Sequence, residues 1–392
     1  SAAWPSALQT KVTNRNNRIA NPLFASLGQA AITYRWITVA FALLIFILGF
    51  FAAQRLNVDI RAIHFLSPDS HTRQIAEMID ERMGGINVVQ MDFETDKPSG
   101  INNLNFLRKL QEVQNFAEAT RKFSSTYSYA SLIAMMNSVW IGDDSGKLTL
   151  PSSPLTLNIF ILALKAMKYP FLQALSDESQ QTANLVLRTT DMPSGEFVAL
   201  LESIESKAGE IMPENVTVSA QAGLHTVLKA DRDIVNAQLG SVGITLAAMF
   251  AVMAFLWRSL HFASIAIITG LAPVAVLAII AALVQVPLNS VTVMVGALAL
   301  GIGIDDAVHL ITHWLNAKRD GVTENEALAL ALEAKGPAIL CTSLILIGFS
   351  LSLLWMSFPP VSHFGSLSAA AYSAALGAAL LALPALLGKR GR

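Results

Sequence analysis

Two adjacent aspartates, Asp305 and Asp306, lie inside an apolar run from Val291 to Trp314. The run is long enough to cross a bilayer, which takes roughly 20 residues of helix. At about 1.5 Å of rise per residue, Asp305 falls about 4 Å from the middle of the run. A carboxylate at that depth costs about 2.5–3.5 kcal/mol on insertion scales. It must gain a partner, reach water or take up a proton. On a helical wheel Gly301, Asp305, His309 and His313 are four residues apart and form one stripe. Asp306 points about 100° away and reaches back toward His309 at i+3. Three readings follow: a polar seam between packed helices, a proton relay through Asp305, Asp306 and His309, or a metal site from Asp305, His309 and His313. Ligands at i and i+4 suit a metal, but no general base of the HExxH kind accompanies them. The glycines and alanines of the same segment (Gly296, Ala297, Ala299, Gly301, Gly303) let neighbouring backbones come close.

The rest of the chain repeats the membrane signal. Of 392 residues, 53% are hydrophobic and 14% charged, a balance outside that of ordinary soluble domains. The formal net charge of -1 gives no basic footprint for nucleic acid. The one cysteine, Cys341, lies in an apolar run and founds no disulfide framework. The chain starts without Met and without a recognisable signal peptide, so a trimmed chain or a part of a longer polypeptide is expected.

In chain order, residues 1–35 carry Lys11, Arg15, Arg18 and Arg35 and no acid, which marks a cytoplasmic segment. Asn21-Pro22 reads as a helix start, and Leu23, Phe24, Leu27, Ala30 and Ala31 give it an apolar stripe. An interfacial helix or a plain approach to the first span both fit. The first span is expected at 36–55. Residues 56–235 form a soluble insert. Ser70 to Met83 reads as a helix. Ile86 to Thr95 alternates like a strand, with Val88, Gln90, Asp92 and Glu94 on one side. Helix 103–121, strand 123–130, strand 182–190, helix 193–212 and strand 216–222 follow. The order β-α-β…β-α-β is the split ferredoxin-like motif.

Between its halves, residues 131–180 include the apolar stretch Leu155 to Leu175. Lys165, Lys168 and Pro170 argue against its spanning a membrane. It is either core of the insert or an apolar wall for a hydrophobic substrate, with Met135, Met136, Phe160 and Phe171 as candidate contacts.

Five more spans are expected in 236–388: Leu239 to Trp257, Phe262 to Val284 with a kink at Pro273, the aspartate helix, Gly336 to Trp355, and Gly365 to Leu387. Thr323-Glu324-Asn325-Glu326 opens a short helix to Ala334 before the fifth span. Ser357 to Phe364 is read as a loop. On the fifth span, Thr342 and Ser343 either bond an aspartate of a neighbouring helix or their own backbone. The tail 389–392 is basic. Lys and Arg mark every loop on one side, so both termini are expected in the cytoplasm and the insert in the periplasm.

GIGIDDAVHLITHW, a short basic loop, KGPAILCTSLILIGFSLSLL, FPPVSHFG and a final LPALL together resemble the last helices of an RND-superfamily transporter. The nearest branch is that of the MMPL and hopanoid-type exporters, related more distantly to Patched and sterol-sensing proteins. The resemblance implies a C-terminal six-helix repeat, an α-helical membrane protein with an inserted α+β ferredoxin-like periplasmic porter domain, in the bacterial inner membrane. It implies no enzyme activity and no cofactor. The energy source would be the proton gradient, used through Asp305, Asp306 and His309, with His313, Gly301, Thr342 and Ser343 in support. Expected partners are a membrane lipid or other hydrophobic substrate, a second RND-like repeat and a periplasmic accessory protein. A SecDF-like protein-export subunit and a lipid-sensing regulatory subunit share enough of the plan to stand as alternatives. No P-loop or Rossmann fingerprint is present, which disfavours ATP-driven transport by this chain.

Overall fold

The computed structural model describes residues 22–388 except 57–58, 60, 144–145, 147, 167–171 and 222. The basic segment before Pro22, the tail 389–392, Lys168, Pro170 and Phe171 lie outside the described residues. The described residues are mostly helical, and among them are six helices long and apolar enough to cross a membrane and one small antiparallel sheet.

Helix α1 (Pro22–Thr33) leads directly into the first span, α2 (Arg35–Ala53). A short 3-10 turn (Ala62–Phe65) and α3 (His71–Arg82) follow. The Ser70 side chain accepts from the Arg73 N–H and caps α3. The sheet domain then runs β1 (Asn87–Thr95), α4 (Leu104–Ala119), β2 (Ser125–Ser128), α5 (Tyr129–Ile141), α6 (Pro154–Ala166), the single turn α7 (Leu172–Leu175), β3 (Thr182–Thr189), α8 (Ser194–Ile211) and β4 (Val216–Gln221). Strand order is β2-β3-β1-β4, with every pairing antiparallel. This is the order of the split ferredoxin-like motif.

Alternation in β1 puts Val89, Met91 and Phe93 into the core and Val88 and Glu94 outside. One face of the sheet is covered by α4 and α8, whose Leu107, Leu110, Leu201 and Ile204 are fully buried. The second strand is shorter than expected. Ser128 caps α5 through a reciprocal pair with Ser131, so Tyr129 and Ala130 belong to the helix.

The apolar insertion does two things. Leu157, Phe160, Ile161 and Leu164 of α6 enter the sheet-domain core, while Leu155, Ile159 and Leu162 stay exposed. Met135, Val139 and Trp140 of α5 are exposed as well.

The remaining spans are α9 (Gly223–Trp257), α10 (Leu260–Val284), α11 (Ser290–Arg319), α12 (Glu324–Ser352), and α13 (Pro359–Gly377). The last continues through a π-helical segment (Ala378–Ala382) into α14 (Leu383–Leu387). Two expectations are corrected. The short helix and fifth span are one helix, α12, despite Pro337 within it. A proline removes one backbone bond, but Leu328 and Leu332 before it and Ile339 after it share one buried cluster. Gly336 also seats the Phe24 ring of α1 where a Cβ would stand. Helix α1 is therefore docked on the bundle by Phe24 and Ala31, both buried. The second correction concerns the loop after α12. Helix α13 begins at Pro359, because Pro359 and Pro360 occupy first-turn positions that need no N–H partner.

The sheet domain is tied to the bundle by polar contacts. The Asp59 N–H donates to the Leu288 carbonyl (3.2 Å), and its carboxylate accepts from the Ser194 N–H (2.8 Å). Arg61 pairs with Asp59 at 3.0 Å and reaches Asp191 at 3.8 Å. Burial pushes the Asp191 carboxyl up, against the pull of Arg61. Burial, then Arg61, holds His64 below its ordinary value of 6.5.

Two predictions follow. Gly270 of α10 faces Ile304 of α11 with no room for a Cβ, and Gly303 lies against the Gly270 Cα. Gly270→Ala should destabilise the bundle by about 1–3 kcal/mol through overpacking. Gly348→Ala, which meets open space, should not; thermal unfolding in detergent checks both. Because His64 is favoured neutral in the fold, the unfolded chain binds its proton more readily. Stability should therefore drop as pH falls below 6.5, and His64→Gln should weaken that acid-side loss in unfolding curves taken across this range.

Candidate functional site

Helix α11 is the central element of the bundle. It packs on α9, α10, α12 and α13. Asn289 and Thr292 close a reciprocal cap at its start. At the other end the Trp314 Nε1–H donates to the Glu324 carbonyl (3.2 Å) and Lys318 pairs with Glu324 at 2.9 Å. The Trp257 Nε1–H of α9 donates to the Thr312 hydroxyl at 3.2 Å, which fixes the depth of α9 against α11.

The two aspartates, at the middle of this 30-residue helix, have opposite surroundings. The Asp305 side chain is 71% exposed and the His309 side chain 57%, with Nε2 and Oδ1 3.5 Å apart. Met294, Leu298, Gly301, Asp305 and His309 make a continuous exposed stripe along α11. Asp306 is only 6% exposed. Its Oδ2 is buried with no hydrogen-bond partner among the described residues. His309 therefore serves Asp305, and the i+3 reach to Asp306 expected from the wheel is not the recorded contact.

The direction Asp306 takes follows from its neighbours. At about 100° per residue it lies between Ala299 and Ile302 on the wheel. Ala299 and Ile302 pack with Leu367 and Tyr372 of α13 and with Leu346 and Ile347 of α12. Ser343 is buried and stands one turn from Leu346 and Ile347 on that face. Asp306 thus lies on the buried α11 face that carries Ala299 and Ile302, in a cluster that also includes Leu277 of α10, and buried Ser368 of α13 pairs with the Tyr372 hydroxyl beside it. Neither Ser368 nor Tyr372 was singled out from sequence. Their spacing of four on an otherwise Ala-rich helix was the available signal.

The supporting residues divide. Thr342 is exposed, and its hydroxyl donates to the Ala338 and Ile339 carbonyls, which is the local reading. Gly301 is exposed, and a Cβ there would meet nothing within 4 Å. The same openness holds at Gly240 and Gly243 of α9 and Gly348 of α12. His313 is half-buried. Among the described residues no group of three His, Cys, Asp or Glu side chains could hold a metal ion.

The arrangement holds one carboxylate on the outside of the bundle with an imidazole and one inside it, on successive residues.

Similarity to other proteins agrees with this membrane reading. The chain is 30% identical over 105 residues to membrane protein MJ1562 of Methanocaldococcus jannaschii, a stretch covering 27% of each protein. It is 26% identical over 204 residues to membrane protein YdfJ of Bacillus subtilis, covering 50% of this chain and 28% of that one. The matched stretches thus span about a quarter of the length of either relative. The MMPL family profile matches residues 162–392, more than half of the chain and the whole of the bundle after α2. The chain is a multi-pass membrane protein and belongs to the MMPL family, within the RND superfamily.

Proposed function

We propose that this chain is one repeat of a transporter that uses the proton-motive force to export or transfer a hydrophobic, lipid-like molecule. The observation that carries the reading is the exposed Asp305–His309 pair at mid-span beside the buried Asp306. An ionised carboxylate facing hydrocarbon is costly, and ionisable groups inside spans mark ion and proton pathways. Asp305 and Asp306 alternate between protonated and ionised states, and His309 holds the ionised Asp305 or passes its proton. One charge crossing 100 mV supplies about 2.3 kcal/mol, enough for one or two protons to do useful work.

The exposed stripe needs cover. Its small residues, Gly301 with Gly240, Gly243 and Gly348 on the flanking helices, offer a surface on which further helices can pack closely. A second RND-like repeat, in the same polypeptide or a separate one, would bury Asp305 there. The repeat architecture of transporters places functional sites at such repeat interfaces. The exposed apolar face of α5 and α6 supports a hydrophobic cargo handled by the sheet domain, alone or with an accessory protein. In this reading the sheet domain is a periplasmic porter domain, the membrane is the bacterial inner membrane, and both termini are cytoplasmic.

Asp305→Asn and Asp306→Asn should each cut proton uptake at least tenfold in liposomes that carry the full protein, a pH dye and an imposed potential. Their unfolding temperatures should stay near wild type. Wild-type flux in both variants would overturn the relay. His309→Gln should change the pH dependence of the flux. An unchanged profile would take His309 out of the pathway and leave the aspartates in it.

A further inference from the structure

A cavity of about 320 Å³ opens in the wall of the bundle among α2, α10 and α13. Ile37, Thr38, Ala42 and Ile45 line one side, Ala272 and Val276 the back, and Ala374, Gly377 and Ala378 the other side. Its lining is almost wholly apolar, and the Thr38 hydroxyl is spent on the Tyr34 carbonyl at 3.3 Å. Small side chains on α13 and the π-helical segment Ala378–Ala382 make the space. Single-turn π segments of this kind recur at functional sites. The cavity size is at the lower end of the roughly 300–1,000 Å³ usual for ligand pockets. It lies toward the membrane face remote from the sheet domain, because the lining residues come from the first half of α2 and the second half of α13.

One turn beyond the cavity on that side stands Arg35. Positions 35, 38, 42 and 45 follow the i, i+3, i+7, i+10 pattern, so Arg35 shares the helix face that lines the cavity. Side chains tilt toward the helix start, which carries the guanidinium to the membrane edge. Trp36 is exposed beside it, and the guanidinium lies 5.7 Å from the Trp36 ring. Aromatic residues take this position at headgroup depth. The Nε of Arg35 is buried with no hydrogen-bond partner among the described residues. A buried donor left unpaired costs about 1–3 kcal/mol.

We infer that this is a phospholipid site: one acyl chain lies in the α2–α10–α13 cavity and the phosphate is bound by Arg35 at the start of α2. A guanidinium fork suits phosphate oxygens, and the apolar slot suits a saturated chain. The bilayer leaflet remote from the sheet domain supplies the ligand. The site stands apart from the aspartates and does not rest on transport.

Native mass spectrometry of the full protein in mild detergent tests it, with phosphatidylglycerol and the diacylglycerol of the same chains as probes. Wild-type protein should retain one phosphatidylglycerol in preference to diacylglycerol. Arg35→Gln should lose that preference at least tenfold, with Arg35→Lys recovering part of it. Ala42→Phe should lose both lipids, and Ala374→Leu on the opposite wall should do the same if Ala42→Phe does not fold. Phosphatidylglycerol retained as in wild type by both Arg35→Gln and the filled-cavity variant would overturn the site. Equal retention of the two probes by wild-type protein would overturn the role of the phosphate. Asp305→Asn should leave retention unchanged, so loss of proton flux and loss of lipid are separable.

Discussion

An ionised carboxylate gains several hydrogen bonds in water and none from hydrocarbon, and this difference governs the middle of the bundle. Two carboxylates on successive residues of one helix cannot face the same way, since about 100° of rotation separates them. The fold buries one within the bundle and turns the other outward. Each must then meet its demand differently. Asp306 is buried with its Oδ2 unpartnered among the described residues, whereas Asp305 has His309 and whatever covers the outer stripe. On the proposed relay, a change in the protonation of either one would alter what its side of the helix can pack against.

That coupling needs α11 to be held firmly everywhere except at the stripe. The close approach of Gly270 and Gly303 presses α10 against α11 nearly backbone to backbone. In a membrane there is no hydrophobic drive between apolar helices, so such contacts rest on dispersion and on small residues. The Trp257–Thr312 and Trp314–Glu324 hydrogen bonds pin the far end at a depth where water is close. By contrast Gly301, Gly240, Gly243 and Gly348 approach nothing. A glycine in a helix costs about 1 kcal/mol relative to alanine when it serves no contact. The same residue type thus marks a contact already made on one face of α11 and an open one on the other.

Much of this was legible in the sequence where a period settles the matter. The alternation of β1, the split β-α-β order and the six apolar runs all appear in the structure, since strand and span signals depend on local spacing. The stripe Gly301–Asp305–His309 was legible for the same reason. What the wheel could not give was the identity of the neighbour on each side. It showed that Asp305 and Asp306 diverge, but only packing shows that Asp306 is the buried one and Asp305 the exposed one. The prolines misled in both places where tertiary contacts overrode local preference. Pro337 suggested a break that the shared cluster of Leu332 and Ile339 closes, and Pro359-Pro360 suggested a loop where they start a helix. Arg35 read as a membrane-edge marker. The cavity one turn beyond it depends on α10 and α13, which lie more than two hundred residues away in sequence.

The length of α9 joins the two halves of the structure. Its 35 residues span about 50 Å at 1.5 Å per residue. Leu228 near its start is buried in the sheet-domain core, and Met253 and Trp257 near its end are buried with Ile304 and Ala307 of the aspartate helix. One unbroken helix is thus part of both cores. Close to the start of α11, Asp231 of α9 accepts from the Ser290 N–H at 3.2 Å, while Asp59 links the Leu288 carbonyl to the Ser194 N–H. These bonds hold the loop before α11 to the base of the sheet domain. On the proposed proton coupling, a shift of α11 would reach α9 through the packing of Met253 and Trp257. Gly240-Ser241 in the middle of α9 is where that helix can bend. A movement passed on along α9 would reach Leu228 in the sheet-domain core.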